Sequence, residues 1–390
     1  MKKNILKLYL INFFSNLTFS SVTWFIYLGR NGLSLFAITV LQSILNLGML
    51  LFEVPTGIYA DKNGRKSSLV LGFLLIFLQL IAIVILPSNF ILMILVFLLA
   101  GIGYALLSGT LESILYESLE DQSCATKTFG IFNGIGYFSL IIGMITGGFI
   151  DQISGKGVFL ATSAVVLISL LISTLLKESD KTSGSYEVET IGQHLMNFLT
   201  VLKEQILNFP LFFSFSMIVA LVSLYYLFAQ ETFNEINIPT YIIGVIFGVS
   251  HLIEGSASFT SHKIEKILGI TKTFKISLLL LSFFFTFLIF ESQIFTVIAF
   301  LGVNMVFGIL DPMMTSIINN IFVSKHRTAL NSTYNFISSV LMFIFSPLIG
   351  LFTQYMGHSL SIIIASMSLI SIFLIILSYL LFSWKMKKNA

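Results

Sequence analysis

Charge is what this chain most lacks. Lys, Arg, Asp and Glu together make up 10% of its 390 residues, against roughly a quarter in a soluble globular domain. So few charges cannot cover a water-soluble fold of this length, and a large soluble core is excluded. Cysteine is almost absent. Cys124 stands alone, which rules out an internal disulfide and a thiolate metal cluster. The five histidines are scattered, so no metal centre is expected. There is no phosphate loop of the Gly, four residues, Gly-Lys-Ser/Thr kind, and no polar domain large enough for a nucleotide. That excludes ATP-driven work, and no cofactor is expected. No nucleophile–base pair stands at a plausible spacing. The nearest, His251 with Glu254, is not read as catalytic, so the chain is not expected to be an enzyme. A formal net charge of +3 is too small to suggest nucleic acid.

What is present is apolar. Hydrophobic residues reach 56%, with 40 Phe, and mean hydropathy is +0.97. A helix needs about 20 apolar residues to cross the hydrocarbon core. Twelve segments qualify: 5–28, 34–59, 68–87, 90–118, 128–150, 157–176, 208–231, 240–262, 273–291, 294–322, 328–353 and 359–383. Gly32, Pro87-Ser88-Asn89, Gly155-Lys156-Gly157, Pro239 and Gly357 punctuate the turns between them. The start is basic then apolar, with no small-residue cleavage pattern, and is read as a retained first span. The expectation is an all-α, multi-pass protein of the lipid bilayer.

The basic residues orient it. Membrane proteins keep Lys and Arg on the cytoplasmic side. With both termini inside, 19 of the 21 basic residues fall inside, and only Arg30 and Lys156 fall outside. A wrong span count would scramble that separation. The expected home is an inner or plasma membrane. One long polar break, 177–207, divides the spans six and six, giving bundles 1–176 and 208–390. Its first part is flexible by composition. Its second places Val188, Ile191, Leu195, Phe198, Leu202 and Ile206 at helical spacing, as in an interfacial amphipathic helix.

Four acids lie well inside apolar segments, more than a turn from either end: Glu53, Glu112, Glu254 and Asp311. Facing lipid they would be very unfavourable, so each should face the bundle interior or a wet cavity. A carboxyl withdrawn from water holds its proton at higher pH than a free one, and such groups can take and release protons as access changes. These four are the candidate proton carriers. The acids also suggest an internal repeat. An offset of 201 sets Glu53 on Glu254, Lys62 on Lys263 and Arg65 on Lys266, with His262 in place of Asp61. An offset of 199 sets Gly109 on Gly308 and Glu112 on Asp311. Asn12, Asn16, Asn133, Asn304, Asn331 and Asn335 add polar positions within apolar helices. Such residues serve as interhelical glue or as ligand contacts. The candidate substrate set is Asn16, Glu53, Glu112, Asn133, Tyr226, Asn304, Asp311 and Asn335.

The stretch Gly57–Ser68 carries Gly57, Asp61, Lys62, Gly64, Arg65 and Lys66 in the pattern G-x-x-x-D-K-x-G-R-K. This resembles the loop between the second and third spans of the major facilitator superfamily of secondary transporters. With the span count, the central break and the cytoplasmic ends, the resemblance covers the whole chain. It implies two pseudo-symmetric six-helix bundles that rock about a site near the bilayer midplane. It implies that Gly57, Asp61, Gly64, Arg65 and Lys66 form a conformational gate. Asp61 would lie near the N-terminal end of span 11, and Arg65 would pair with Glu117, Glu120 or Asp121. A second motif, G-P-x-x-G-G of exporters, is matched by Gly143, Gly147 and Gly148, with Met144 in place of proline. Glycines so spaced let helices pack closely. A third motif of proton-coupled drug exporters keeps Gly101 and Gly103, but its arginine position is Phe97.

The resemblance therefore implies a monomeric secondary transporter, with a small-molecule substrate and protons as its partners. Its pattern points to efflux of an amphipathic or hydrophobic compound, multidrug-type. The alternatives are a proton-coupled uptake symporter, a facilitator and a lipid-translocating member.

Overall fold

The computed structural model describes residues 2–119, 121, 124–177, 209–321, 327–356 and 359–389, and all regular structure among them is helical. The helices are α1 (Lys2–Asn16), α2 (Trp24–Arg30), α3 (Leu35–Asn63), α4 (Arg65–Ile85), α5 (Phe90–Leu107), α6 (Thr110–Glu117), α7 (Ala125–Ile153), α8 (Gly155–Thr174), α9 (Phe209–Glu235), α10 (Thr240–Leu268), α11 (Ile270–Thr286), α12 (Gln293–Ile321), α13 (Arg327–Met356) and α14 (Leu360–Asn389). Residues 178–207, with the expected interfacial helix, lie outside the described residues. The chain forms two compact units: Met1–Val188 with Pro239–Gly248, and Glu189–Ile238 with Val249–Ala390.

Ten helical segments among the described residues are long and apolar enough to cross a membrane. The apolar stretch Leu360–Ile376 of α14 is a shorter eleventh. The expected first span is present but broken. After Asn16 the chain leaves the helix, makes a 3-10 turn at Phe19–Val22, and re-enters at Trp24. The break falls in Thr18-Phe19-Ser20-Ser21-Val22-Thr23, where Ser and Thr compete with the helix for backbone hydrogen bonds. The Ser21 hydroxyl donates to the Thr18 carbonyl at 2.9 Å. The fourth span is also interrupted, at Ser108-Gly109, where Gly109 adopts φ +66° and separates α5 from α6.

Caps set several helix starts. The Ser34, Asn89 and Ser154 side chains accept from the backbone N–H groups of Ala37, Leu92 and Gly157. Glycines set the closest approaches. In the first unit α5 lies between α3 and α4. A Cβ on Gly101 would stand 2.3 Å from the Leu45 carbonyl of α3, and one on Gly103 would stand 3.0 Å from the Gly72 carbonyl of α4. Gly143 and Gly147 of α7 meet the backbone of Thr18 and Phe19 at the break, and Gly148 meets that of Thr240 and Tyr241. In the second unit α9 packs on α12, α13 and α14, and α11 packs on α12 and α14.

The internal repeat has a different register from the one that aligned the acids. α3 and α10 are each 29 residues long. They start at Leu35 and Thr240 and end at Asn63 and Leu268, so the helix ends set an offset of 205. Each is closed by a glycine of matching backbone: Gly64 at φ 90° and ψ 145°, Gly269 at φ 79° and ψ 152°. A shift of four residues is about one helical turn. It keeps the same face and changes the depth, so Glu254 takes the place of Met49, not of Glu53.

Candidate functional site

A linked polar arrangement among the described residues lies in the second unit. It is built on α9, α10 and α12. Tyr226 of α9 and His251 of α10 share a hydrogen bond of 3.0 Å between the phenol oxygen and Nε2. On its other edge, His251 Nδ1 stands 3.3 Å from Glu254 Oε2, one helical turn on. Both side chains are withdrawn from the surface, with 18% of His251 and 29% of Glu254 exposed. Asp311 of α12 is exposed.

Packing explains why these groups meet. A Cβ on Gly308 would stand 2.4 Å from the Glu254 carbonyl oxygen. Only glycine lets α12 approach α10 so closely. Asp311 follows three residues later, on the same face of α12. Pro312 comes next within the helix. It offers no N–H to the Gly308 carbonyl and so leaves that oxygen without its helical donor. Phe300 walls the site, its ring 5.9 Å from that of Tyr226. Asn304 is buried, and its amide donates to the Phe300 carbonyl of its own helix at 2.7 Å.

The arrangement has two protonation forms. With a neutral imidazole that carries its proton on Nδ1, this N–H faces the carboxylate at 3.3 Å, and Nε2 accepts from the Tyr226 hydroxyl. With a protonated imidazole, both nitrogens donate, and the Tyr226 oxygen becomes the acceptor. One proton can therefore be held without leaving the Glu254 charge unpaired, and its presence reverses the bond to Tyr226.

In the first unit the candidate residues are more dispersed. Glu53 on α3 and Glu112 on α6 are both exposed. Among the described residues neither makes a side-chain hydrogen bond or ion pair. Glu112 lies in the first turn of α6, where the helix dipole favours a negative charge. Asn12 and Asn16 are occupied: Asn12 donates to the Phe132 carbonyl of α7 at 2.6 Å, and Asn16 donates to the Asn12 side chain at 2.9 Å. Asn133 is exposed on α7. Asn335 lies on α13, but its side chain is outside the described residues.

Of the gate residues, Arg65 meets Glu117, with Nη1 and Oε1 2.5 Å apart. This joins the start of α4 to the end of α6. Glu120 lies outside the described residues, and so does the turn before α13, near which the partner of Asp61 was expected. Asp61 and Asp121 are exposed. Gly57 sits inside α3, and a Cβ there would meet nothing within 4 Å. At the far end of the same unit, Arg30 of α2 bonds the buried Asp151 of α7 at 2.9 Å. That pair was not anticipated, although these are two of the few charges on that side of the chain.

His251 is the residue that sequence reasoning undervalued. The available signal was its spacing of three from Glu254 on an otherwise apolar helix. The partner on α9 could be found only from the packing.

Comparison with known proteins agrees with this architecture. The family model described as Major Facilitator Superfamily matches residues 8–342. An uncharacterised MFS-type transporter of Methanocaldococcus jannaschii is 31% identical over 132 residues, which is 34% of this chain and 33% of that protein. The chain thus matches about a third of this curated relative's length. Among solved structures, the nucleoside transporter NupG aligns with TM-score 0.78 and 17% identity, over 96% of this chain and 98% of that one. A bacterial homologue of the iron transporter ferroportin, inward-facing, aligns with TM-score 0.74 and 15% identity, over 97% and 99%. The D-xylose-proton symporter aligns with TM-score 0.70 and 13% identity, over 95% of each chain. At these identities the likeness is one of fold. The family model spans most of the sequence, the helices are long and apolar enough for a multi-pass membrane protein, and the chain belongs to the Major Facilitator Superfamily of secondary transporters.

Proposed function

We propose that this chain couples proton entry to the export of a small amphipathic or hydrophobic compound. It would act as a monomer in a plasma or inner membrane, with both termini cytoplasmic. The observation that carries the reading is the linked set Tyr226, His251 and Glu254, with Asp311 on α12, the helix that meets Glu254 at Gly308. A half-buried carboxylate and imidazole in an apolar bundle are costly unless their charge is used. Here they can store one proton and signal it through the direction of a hydrogen bond. Glu53 and Glu112 are the further carriers proposed for the first unit. Arg65 and Glu117 hold α4 to α6 and serve as the gate. Efflux over uptake is supported by the glycine motif at Gly143, Gly147 and Gly148, which meets backbone on both sides of α7.

The test uses everted vesicles with an imposed proton gradient and a panel of amphipathic dyes. Wild type should accumulate dye as the gradient is applied. Glu254→Gln and His251→Gln should each reduce that accumulation by at least about tenfold, the order expected for losing a positioned proton carrier. Glu53→Gln and Glu112→Gln should each slow it as well. Gradient-driven accumulation at the wild-type rate in all four variants would refute the coupling assignment. Accumulation only in right-side-out vesicles would reverse the direction and establish uptake.

A further inference from the structure

The second corner of the repeat, where α10 turns into α11 at Gly269, carries a feature that the transport reading does not use. Two short runs flank the glycine: Lys263-Ile264-Glu265-Lys266-Ile267 and Lys272-Thr273-Phe274-Lys275-Ile276. Each has the spacing Lys-x-x-Lys-Ile. On a helix, residues three and four apart share a face. Each run therefore presents two ammonium groups and an isoleucine side by side. All four lysines are exposed. Among the described residues none makes an ion pair or side-chain hydrogen bond. Glu265 is the one acid between them, and His262 is exposed beside them.

The apolar residues of this corner are exposed too. Ile267 is 81% exposed, Ile270 44%, Ile276 42% and Phe259 89%. A corner designed to face water alone would not show four large apolar side chains among its lysines. The flanking segments Thr240–Leu268 and Ile270–Phe290 are both apolar enough to span a membrane. The corner thus sits where acyl chains give way to headgroups. Lysine stems can lie along the apolar side chains while the ammonium groups reach outward.

We infer that this corner is a binding surface for anionic phospholipid. The two Lys-x-x-Lys pairs would take the phosphate and glycerol headgroup charge, and Ile267, Ile270 and Ile276 would take the first part of the acyl chains. A free phosphate would use the lysines and leave the isoleucines in water. A nucleic acid would find apolar side chains where it needs polar ones. The lipid is the occupant that satisfies both halves of the surface.

The probe is the full chain in nanodiscs of phosphatidylcholine alone or phosphatidylcholine with phosphatidylglycerol at three to one, read by the lipids retained in native mass spectrometry. Wild type should retain phosphatidylglycerol over phosphatidylcholine. The variant with Lys263, Lys266, Lys272 and Lys275 all changed to Gln should lose that preference by at least about tenfold. The same four positions changed to Arg should keep it. Ile267→Gln with Ile270→Gln should weaken it while leaving the charge intact. An unchanged preference in the Gln variant, no preference in wild type, or equal displacement by inorganic phosphate would each overturn the assignment. All four lysines are on the surface. Should the Gln variant still fail to fold, single Lys→Gln changes must lower retention stepwise, and a flat series would have the same adverse meaning.

Discussion

The two helical corners, α3–Gly64–α4 and α10–Gly269–α11, share a backbone and differ in their charges. Both helices that lead in are 29 residues long, and both glycines take a conformation closed to other residues. At the first corner Arg65 follows the glycine and is bonded to Glu117. At the second, Ile270 follows the glycine, and among the described residues the four lysines make no ion pair. The difference teaches that a duplicated frame can divide its tasks. The first corner is tied to its own bundle through Arg65 and Glu117. The second is left to face its surroundings. The titratable chemistry divides the other way, since the linked set Tyr226, His251 and Glu254 belongs to the second unit.

The comparison can be broken most forcefully at the glycines that seat the helices. Gly101→Val would drive a side chain into the Leu45 carbonyl, and Gly308→Val into the Glu254 carbonyl. Each should lower thermal stability by about 3 kcal/mol or more, the upper range for overpacking. Tolerance at one site and collapse at the other would show that the two bundles are held differently. Gly308→Val should also abolish gradient-driven transport, because it displaces Glu254.

A subtler probe uses the corner glycines themselves. A Cβ on Gly269 meets nothing within 4 Å, so Ala there adds only backbone strain, and Gly64 shares that left-handed φ. Gly64→Ala and Gly269→Ala should cost similar amounts, about 1–3 kcal/mol each. Unequal melting shifts would deny the shared conformation. The latch comes next in size. Arg65 and Glu117 are 26% and 34% exposed, so solvent screens the pair and their coupling should be no more than about 1 kcal/mol. A double-mutant cycle with Arg65→Ala and Glu117→Ala measures it on the balance between inward- and outward-open states. Coupling indistinguishable from zero would remove the latch. The smallest effect is expected at Gly57→Ala, which lies in a helix with open space around it. It should stabilise by roughly 0.4–1 kcal/mol through the unfolded chain. Destabilisation there would mean that the gate needs the glycine in another conformation.

Much of this architecture was legible beforehand because bilayer-length apolar runs and one-sided basic loops leave few alternatives. The candidate acids were legible for the same reason, since Glu53, Glu112, Glu254 and Asp311 interrupt such runs. Two features were not. The break at Thr18–Thr23 depends on backbone from α7 arriving at Gly143 and Gly147, and hydropathy does not register it. The repeat register set by the helix ends differs by one turn from the one the acids suggest, because residues four apart share a face and acids matched on a face say nothing of depth. Partners were harder still. Glu254 and His251 can be paired by spacing, but Tyr226 and Asp311 come from α9 and α12, and only packing brings them in.

Gly101 and Gly103 stand two residues apart and look to opposite sides, one onto α3 and the other onto α4. Three helices are thereby stitched into a single slab whose members have no freedom to slide. Any motion of α5 must therefore take α3 and α4 with it.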